Sequence, residues 1–347
     1  MGWLETQVLS WFDKHGRRDL PWQKDRTPYR VWVSEIMLQQ TQVITAIPYF
    51  QKFIKRFPTN RDLSKATLDE VLHLWTGLGY YSRARNLHKA SILIEKQHQG
   101  KFPTSIESLI ALPGIGRTTA GAILSLSRDL PFAILDGNVK RVLARFYSIK
   151  GYPGTAAVSK ILWKKAQEHT PNTRTADYTQ AIMDLGATVC QRTPLCEKCP
   201  LLKKCEAGST GTFHLYPGKK MKGPKRTRAV RMFIIQNQQG DYLLQKRPKK
   251  GIWAELWTPP ERSSNYSPKQ MVSELNTASP IQYCQIVGPK LVHAFSHYDL
   301  HIEPIYLNVS CLPKISQASE WLWYNEEEDK PVGLPAPALK LMNIRNL

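Results

Sequence analysis

The chain has 347 residues, of which 42% are hydrophobic, and its formal net charge is +20. This length predicts two or three domains, and the hydrophobic fraction excludes a disordered chain. No apolar run approaches the roughly 18 residues that span a bilayer, and the N-terminus lacks a basic stretch followed by an apolar one, so we expect a cytoplasmic protein without membrane or secretory segments.

The positive charge is distributed unevenly. Residues 201–250 contain 13 basic and 2 acidic residues, whereas residues 251–347 contain 7 basic and 10 acidic ones. Clustered cations gain free energy when they displace counterions from phosphates. We therefore expect a polyanionic partner for the first two thirds of the chain, although a high isoelectric point would also serve solubility alone.

Helical periodicity extends from Trp3 to about Leu202. Thr27 and Pro28 are typical of a helix start, because a threonine hydroxyl caps the first turn and proline is tolerated at its first position. Apolar residues recur about every 3.6 positions in further segments, namely 68–75, 83–97, 106–112, 118–126, 138–147, 156–168 and 179–190. We interpret residues 1–207 as one all-α domain.

The pattern changes after this domain. Residues 208–228 concentrate glycine, proline and lysine, and we interpret them as a basic linker that is either a solvated tether or a contact to phosphates. Strands are predicted over 230–236, 242–246, 281–287, 290–295, 300–309 and 321–324, with helices opened by Ser267-Pro268 and near 336–344. Residues 229–347 therefore read as a small α+β domain.

Four of the six cysteines lie within sixteen residues with the spacing C-x5-C-x2-C-x5-C: Cys190, Cys196, Cys199 and Cys205. Two disulfides are unfavourable in a reducing cytosol. Zinc sites usually use paired C-x2-C units or histidine, so an iron–sulfur cluster is the better interpretation. Zinc and unligated thiols remain the alternatives. We expect Cys284 and Cys311 to be apolar filling.

Three further features indicate a chemical role only when they are considered together with the rest of the sequence. Gly114 and Gly116 form a turn between two helical patterns that could present backbone N–H groups to a phosphate, although such turns also occur without a ligand. Asp136 precedes a helix and on its own reads as an N-cap. Glu35 lies among mostly apolar neighbours and on its own reads as a helix acid.

Together these features resemble a known family. The hairpin, Leu135-Asp136-Gly137-Asn138-Val139 and the four-cysteine loop, in this order, resemble the helix-hairpin-helix DNA glycosylases of the endonuclease III superfamily. The segments SEIMLQQT from Ser34 and WTGLGYY from Trp75, with the appended β-rich domain, resemble its adenine glycosylase (MutY) family. The first cysteine gap is five residues here, whereas the family usually has six.

The resemblance implies a fold and a reaction. It implies an all-α helix-hairpin-helix glycosylase domain with an iron–sulfur loop, followed by an α+β Nudix-like C-terminal domain. The partner would be double-stranded DNA with an adenine:8-oxoguanine or adenine:guanine mispair, and the chain would hydrolyse the N-glycosidic bond of that adenine in base excision repair. A monomer with one 4Fe-4S cluster on Cys190, Cys196, Cys199 and Cys205 is implied.

The resemblance also implies the catalytic residues. Glu35 would protonate the adenine, and Asp136 would stabilise the oxocarbenium-like sugar. Asn138 would orient Asp136, and Thr118 would contact the reaction centre, with core packing as the alternative for Thr118. Bifunctional relatives carry a lysine after the hairpin arginine, whereas Arg117 is followed by Thr118. We therefore predict a monofunctional glycosylase without lyase activity.

The remaining implied contacts fall into three groups. Gln40 and Tyr80 would intrude into the duplex, and Gly114, Gly116 and Arg117 would contact its backbone. The adenine pocket would be lined by Leu20, Trp22, Gln23, Leu38 and Gln180, although the glutamines could equally lie at the surface. Phe295, Ser296 and His297 would read 8-oxoguanine, because a serine hydroxyl accepts its N7–H. No Nudix box follows Gly251, so metal-dependent hydrolysis is not expected.

Overall fold

The computed structural model describes residues 1–221, 223–275, 282–309, 320–325, 327 and 330–343. The chain divides into two compact units. Unit 1 contains Met1–Lys65 and Asn86–Lys222, and unit 2 contains Ala66–Arg85 and Gly223–Leu347. Helices dominate the first two thirds of the chain and strands the last third, so the predicted fold class is confirmed. In the ranges just given, no helix is long and apolar enough to cross a membrane.

Most helices of the described residues lie close to predicted segments, whereas α3, α4 and α12 in the following series have no segment predicted for them. They are α1 (Trp3–His15), α2 (Pro28–Leu38), α3 (Val43–Arg56), α4 (Asn60–Lys65), α5 (Leu68–Leu74), α6 (Ser82–His98), α7 (Ile106–Ile110), α8 (Arg117–Arg128), α9 (Gly137–Phe146), α10 (Ala156–Glu168), α11 (Thr175–Thr188), α12 (Glu206–Ser209), α13 (Pro268–Glu274) and α14 (Ala336–Met342). Thr27 caps α2 by accepting from the Arg30 amide at 3.3 Å, as expected of that start.

The core of unit 1 forms where α11 packs against α1, α8 and α9, while α2 packs against α8 and α3. The faces that meet are apolar, and Trp32, Met37 and Ile123 are fully buried there. Burial of each such side chain contributes about 1.5–3 kcal/mol relative to exposure. This packing matters for function because it brings α2, α8, α9 and α11, which are far apart in sequence, around one cavity.

Unit 2 is built on a mixed sheet. Its strands are β1 (Arg226–Gln236), β2 (Tyr242–Lys246), β3 (Trp257–Thr258), β4 (Glu261–Ser263), β5 (Tyr283–Val287), β6 (Leu291–Ala294), β7 (Tyr298–Val309) and β8 (Trp321–Tyr324). The main order is β3-β2-β1-β7-β5, with β4 on β1, β6 on β7 and β8 on β2. Phe233, Ile235, Met271 and Leu307 form a core on one face. The predicted β1–β2 hairpin forms, but the long partner of β1 is the parallel strand β7.

The boundaries drawn from the sequence, after residues 207 and 228, remain predictions. The segment interpreted as a linker contains part of α12 and a short 3-10 helix at 213–215, and the Gly218 amide donates to the Gly151 carbonyl at 3.0 Å. Strand β1 already begins at Arg226. Residues 66–85, assigned to the helical domain from sequence, belong to unit 2.

The expectation for Cys284 is wrong. The cysteine lies on β5, at the edge of the main strand order, and its side chain is exposed rather than packed as apolar filling. A strand with one free edge has fewer neighbours to cover its side chains, which the local pattern does not reveal. Cys311 lies outside the described residues.

Candidate functional site

A cavity of about 490 Å³ opens in unit 1. It is lined from α2, α8, α9, α11 and the segment between α1 and α2. All five residues predicted for an adenine pocket line it, together with the four predicted catalytic residues and one predicted DNA contact: Leu20, Trp22, Gln23, Leu38, Gln180, Glu35, Asp136, Asn138, Thr118 and Gln40. Glu35 and Asp136, a hundred positions apart in sequence, therefore share one cavity.

Glu35 lies on α2 between two buried neighbours, Ser34 and Ile36. Among the described residues its carboxylate has neither a hydrogen bond nor an ion pair to offset its burial. Burial raises the pKa of Glu35 to about 7, and the negative charge of Asp136 adds to the effect. Near neutral pH this carboxyl group can therefore hold a proton and donate it.

Asp136 serves as the N-cap of α9. Its Oδ1 accepts from the Val139 amide at 2.7 Å, and its Oδ2 accepts from the Asn138 Nδ2 at 3.1 Å. Burial raises the pKa of Asp136, while these two hydrogen bonds oppose the shift. The interpretation as an N-cap and the location in the cavity are thus both correct, because the cap geometry leaves the carboxylate at the cavity wall.

Arg141, which the sequence reasoning missed, holds the Asn138 side chain. Its NH2 group donates to the Asn138 Oδ1 at 2.9 Å and to the Gly186 carbonyl at 2.7 Å. An arginine only donates, so the amide oxygen of Asn138 must face Arg141 and its NH2 group must face Asp136. The spacing of three residues along α9 is the signal that could have identified this contact.

The wall formed by residues 20–23 is largely apolar. Leu20 and Trp22 are buried, and Trp22 packs edge-on against Phe50 with ring centroids 5.4 Å apart. The Gln23 amide is buried, and neither its Nε2 nor its Oε1 has a hydrogen-bond partner within the described ranges. An unsatisfied buried polar atom costs about 1–3 kcal/mol. This wall therefore favours a ligand that offers the Gln23 amide both a donor and an acceptor.

The Gln180 side chain is oriented by a hydrogen bond to the ion pair between Asp184 and Arg17. Asp184 is fully buried and accepts from the Arg17 Nε and NH2 groups at 2.9 and 2.6 Å. The Gln180 Nε2 donates to the same Asp184 Oδ1 at 2.8 Å. A carboxylate only accepts, so this contact assigns the Gln180 amide orientation and leaves its Oε1 as the free acceptor. The sequence reasoning found Gln180 but missed Arg17 and Asp184.

The hairpin lies before α8. Gly114 has φ of +80°, and a Cβ there would come within 2.8 Å of the Asn86 Cβ, so glycine is required. Gly116 is the N-cap of α8 with open space around it, and Arg117 stacks on Trp163 at 4.0 Å from the ring centroid. Gly116 and Arg117 are both exposed, so α8 begins at an open surface that carries a cation. Thr118 follows directly and faces the cavity.

Gln40 and Tyr80 share an unusual backbone conformation, although they lie in different units. Their φ angles are +58° and +49°, in the left-handed region, and both side chains are exposed. In unit 2, Gly77 and Gly79 also have positive φ, and the Arg83 guanidinium lies 5.5 Å from the Tyr80 ring centroid. Such strained conformations persist where surrounding contacts hold them, which is typical of functional turns.

The four clustered cysteines line one small apolar cavity of unit 1. Its other walls include Val142, Phe146, Leu185 and Leu201. The buried Arg145 donates to the Cys190 sulfur at 3.4 Å, and burial raises the pKa of Cys199 to about 12. A Cβ at Gly208 would lie 3.2 Å from the Cys205 sulfur, so glycine leaves room at this wall. Four thiols gathered around one apolar cavity suit a metal group, because thiolates are its ligands.

The predicted lesion loop joins β6 to β7 in unit 2. The Phe295 amide donates to the Tyr298 carbonyl at 2.9 Å, and their rings stack with centroids 4.9 Å apart. Ser296 and His297 are exposed at the tip, with the Ser296 Oγ 3.3 Å from the His297 Nδ1. A rigid aromatic base thus presents a hydroxyl and an imidazole to solvent.

Comparison with known proteins gives consistent relatives. Residues 33–168 match the HhH-GPD superfamily base excision DNA repair protein family, and residues 231–343 match the NUDIX domain family. The adenine DNA glycosylase of Buchnera aphidicola subsp. Schizaphis graminum (strain Sg) is 41% identical over 339 residues, 97% of each chain. The adenine DNA glycosylase of Homo sapiens is 36% identical, covering 84% of this chain and 64% of the human protein.

A solved structure agrees with the helical part. The structure of a thermostable thymine-DNA glycosylase superposes with a TM-score of 0.55 at 27% identity, covering 60% of this chain and 95% of its own. The helical fold around the cavity is therefore the fold of that glycosylase.

Proposed function

Because the chain belongs to the adenine DNA glycosylase family of the helix-hairpin-helix superfamily, we propose that it excises adenine mispaired with 8-oxoguanine or guanine from double-stranded DNA. The chain is an adenine DNA glycosylase of base excision repair that hydrolyses an N-glycosidic bond. The mispair, the roles of the residues and the cofactor are the proposal. We further propose that the protein is a monofunctional glycosylase without lyase activity, and that it is a monomer associated with DNA in the cytoplasm.

One observation carries the mechanism: Glu35 and Asp136 line the same cavity, and the pKa of Glu35 is raised to about 7. Adenine is a poor leaving group as an anion, so a protonated carboxyl group must donate to it as the glycosidic bond breaks. A glutamic acid with a pKa near neutrality is suited to this task. Glu35 therefore acts as the general acid, donating at N7 of adenine.

Asp136 acts on the sugar that is left behind. Bond cleavage leaves positive charge on the deoxyribose ring, and a carboxylate beneath it stabilises that charge. The hydrogen bonds from the Val139 amide and Asn138 support the ionised form. Asn138 is thus a positioning residue for Asp136, itself held by Arg141. Water then attacks the C1′ atom of the sugar, and the proton that it releases restores the Glu35 carboxylic acid. Thr118 contacts this reaction centre or its water.

The pocket residues select adenine once it has left the base stack. Leu20, Trp22 and Leu38 supply apolar walls. The free Gln180 Oε1 accepts from the N6 amino group of adenine, and the unpaired Gln23 amide offers a donor and an acceptor to the base edge. A purine with an oxygen at position 6 would place an acceptor against the Gln180 acceptor, which disfavours it.

The four cysteines, Cys190, Cys196, Cys199 and Cys205, hold one 4Fe-4S cluster. Zinc sites usually use paired C-x2-C units or histidine, whereas this loop has a single C-x2-C unit and four thiols around one apolar cavity. When bound, the cluster would cross-link the loop through these four thiolates and so order the basic segment that carries Lys198, Lys203 and Lys204.

The remaining predicted residues bind DNA. Gly114, Gly116 and Arg117 contact the phosphate backbone without reading sequence. Gln40 and Tyr80 enter the duplex as the adenine leaves it. Phe295, Ser296 and His297 read the opposite base, because 8-oxoguanine has an N7–H that the Ser296 hydroxyl can accept. The formal charge of +20 supports attraction to a polyanion.

The test is one assay on purified protein. A duplex with adenine opposite 8-oxoguanine is incubated with the protein, and products are separated before and after treatment with alkali. Free adenine with strand breakage only after alkali supports the proposal. Breakage without alkali would instead indicate a lyase acting through an amine, and binding without release would indicate a non-catalytic lesion-binding protein. The Glu35→Gln variant should bind the duplex without releasing adenine.

A further inference from the structure

A turn at residues 253–255 of unit 2 is backbone-strained. Trp253 and Glu255 have φ of +52° and +62°, which residues other than glycine rarely adopt. The Trp253 ring centroid lies 5.5 Å from that of Phe295 and 5.7 Å from that of His293. The loop that presents Ser296 and His297 therefore rests on this turn, and whatever holds the turn also holds the loop.

Arg85, at the start of α6, holds the turn. Its NH1 group donates to the Ala254 carbonyl at 2.8 Å, and its Nε lies 3.6 Å from the Glu255 Oε2. Both side chains are mostly buried, with exposures of 15% and 18%. Solvent screens this ion pair less than it screens a surface pair, so the contact restrains the turn.

Arg85 belongs to the same short segment as Tyr80. The Arg85 amide donates to the Tyr81 carbonyl at 3.1 Å, and the Tyr81 hydroxyl donates to the Leu334 carbonyl at 2.8 Å. The Thr76 Oγ1 accepts from the Leu334 amide at 3.2 Å. The turn that carries Tyr80 is thus fastened at both ends within unit 2, and Arg85 links it directly to residues 254 and 255.

We propose that Arg85 and Glu255 are positioning residues that hold the Tyr80 turn and the Phe295–His297 loop in one arrangement, and thereby set the discrimination between 8-oxoguanine and guanine opposite adenine. This inference rests on the proposed function, because it takes the Tyr80 turn and the Phe295–His297 loop to act on the same base of the duplex. Neither residue touches substrate. Their effect is on the relative position of groups that do, since a side chain displaced by a fraction of an ångström loses a directional hydrogen bond.

The experiment compares single-turnover rate constants for adenine release from two duplexes, with 8-oxoguanine or guanine opposite adenine. Arg85→Ala, Glu255→Ala and the double variant are measured, with Glu255→Gln in case an alanine variant folds poorly. In Arg85→Ala and Glu255→Ala the preference for the 8-oxoguanine duplex should fall about fivefold or more, and the double variant should lose no more than either. The matched control is Glu274→Ala, which breaks the Arg262 ion pair of the same unit and should keep the preference.

The inference is overturned if Arg85→Ala leaves the preference unchanged, which includes the case in which both rate constants fall equally. Wild-type protein without any preference would instead overturn the proposed reading of the opposite base. A second readout separates these cases, since hydrogen exchange of the Phe295 amide, bonded to the Tyr298 carbonyl, does not depend on activity. Arg85→Ala should accelerate that exchange about tenfold, and unchanged exchange would contradict the positioning role itself.

Discussion

Gln180 and Asp184 lie one turn apart on α11, and the Gln180 Nε2 donates to the fully buried Asp184 carboxylate at 2.8 Å. Arg17, which is 167 positions from Asp184 in sequence, donates to the same carboxylate through three nitrogen atoms. The pair therefore decides which atom of the Gln180 amide faces the cavity. Substitutions in the cavity can therefore test which base it prefers and which of its carboxyl groups carry charge.

Gln180→Leu should slow the release of adenine more than the release of unsubstituted purine. In the proposed pocket the Gln180 Oε1 accepts from the N6 amino group, which purine lacks, so only adenine would lose a hydrogen bond. One such bond corresponds to about a threefold to tenfold difference in rate. Parallel single-turnover assays with adenine and purine opposite 8-oxoguanine measure this ratio. Equal losses for both bases would exclude the proposed contact.

The rate of adenine release should depend on pH through Glu35. Its pKa is raised to about 7 by burial, so the proton required for catalysis is lost as the pH rises above that value. We expect the single-turnover rate to fall about tenfold per pH unit well above pH 8. On the acid side, the raised pKa of Asp136 predicts a second fall as that carboxylate is protonated. A flat profile between pH 6 and 9 would rule out Glu35 as the acid.

Glu35→Gln should stabilise the fold at alkaline pH while abolishing turnover. The pKa of Glu35 is higher in the folded chain than in the unfolded chain, so its contribution to stability is fully present below about pH 4.5 and is lost as the pH rises through about 7. Above that range the wild type retains a buried charge that glutamine avoids. The free energy of unfolding at pH 8.5 should rise by on the order of 1–3 kcal/mol in urea titrations. At pH 4 the two proteins should differ little.

Cys199→Ser should remove the broad visible absorbance expected of an iron–sulfur protein and lower the unfolding temperature. Cys199 lines the apolar cavity with the other three thiols, so the loss of one ligand breaks the set. Cys284→Ser is the matched control, because Cys284 is an exposed cysteine on β5 of unit 2 and is not one of the four clustered cysteines. Absorbance that survives in Cys199→Ser, or that disappears equally in Cys284→Ser, would contradict the ligand assignment.

Asp136→Asn should reduce adenine release by about a hundredfold to a thousandfold, because a neutral amide cannot offset the charge on the sugar. The N-cap bond to the Val139 amide survives in asparagine, so the unfolding temperature should change little. Thermal unfolding and single-turnover rates measured on the same preparation separate the two effects. A large loss of stability would indicate that the carboxylate is mainly structural.

Much of the local structure could be predicted from sequence. Helix α10 has the predicted bounds, α2 starts at Thr27-Pro28 as expected, and β2 spans the predicted residues. Each of these depends on caps and periodicity within one or two turns of chain, which the order of residues contains directly. Motif resemblance added Glu35 and Asp136, whose local patterns alone indicate only a helix acid and an N-cap.

What sequence alone determined is therefore the order of helices and strands, the cysteine loop and the side chains available for chemistry. Only the tertiary structure decided that Arg17 meets Asp184, that β1 pairs in parallel with β7, and that residues 66–85 pack with the second unit. Contacts between distant residues depend on many weak packing terms summed over the whole fold, and no short stretch of chain carries that sum.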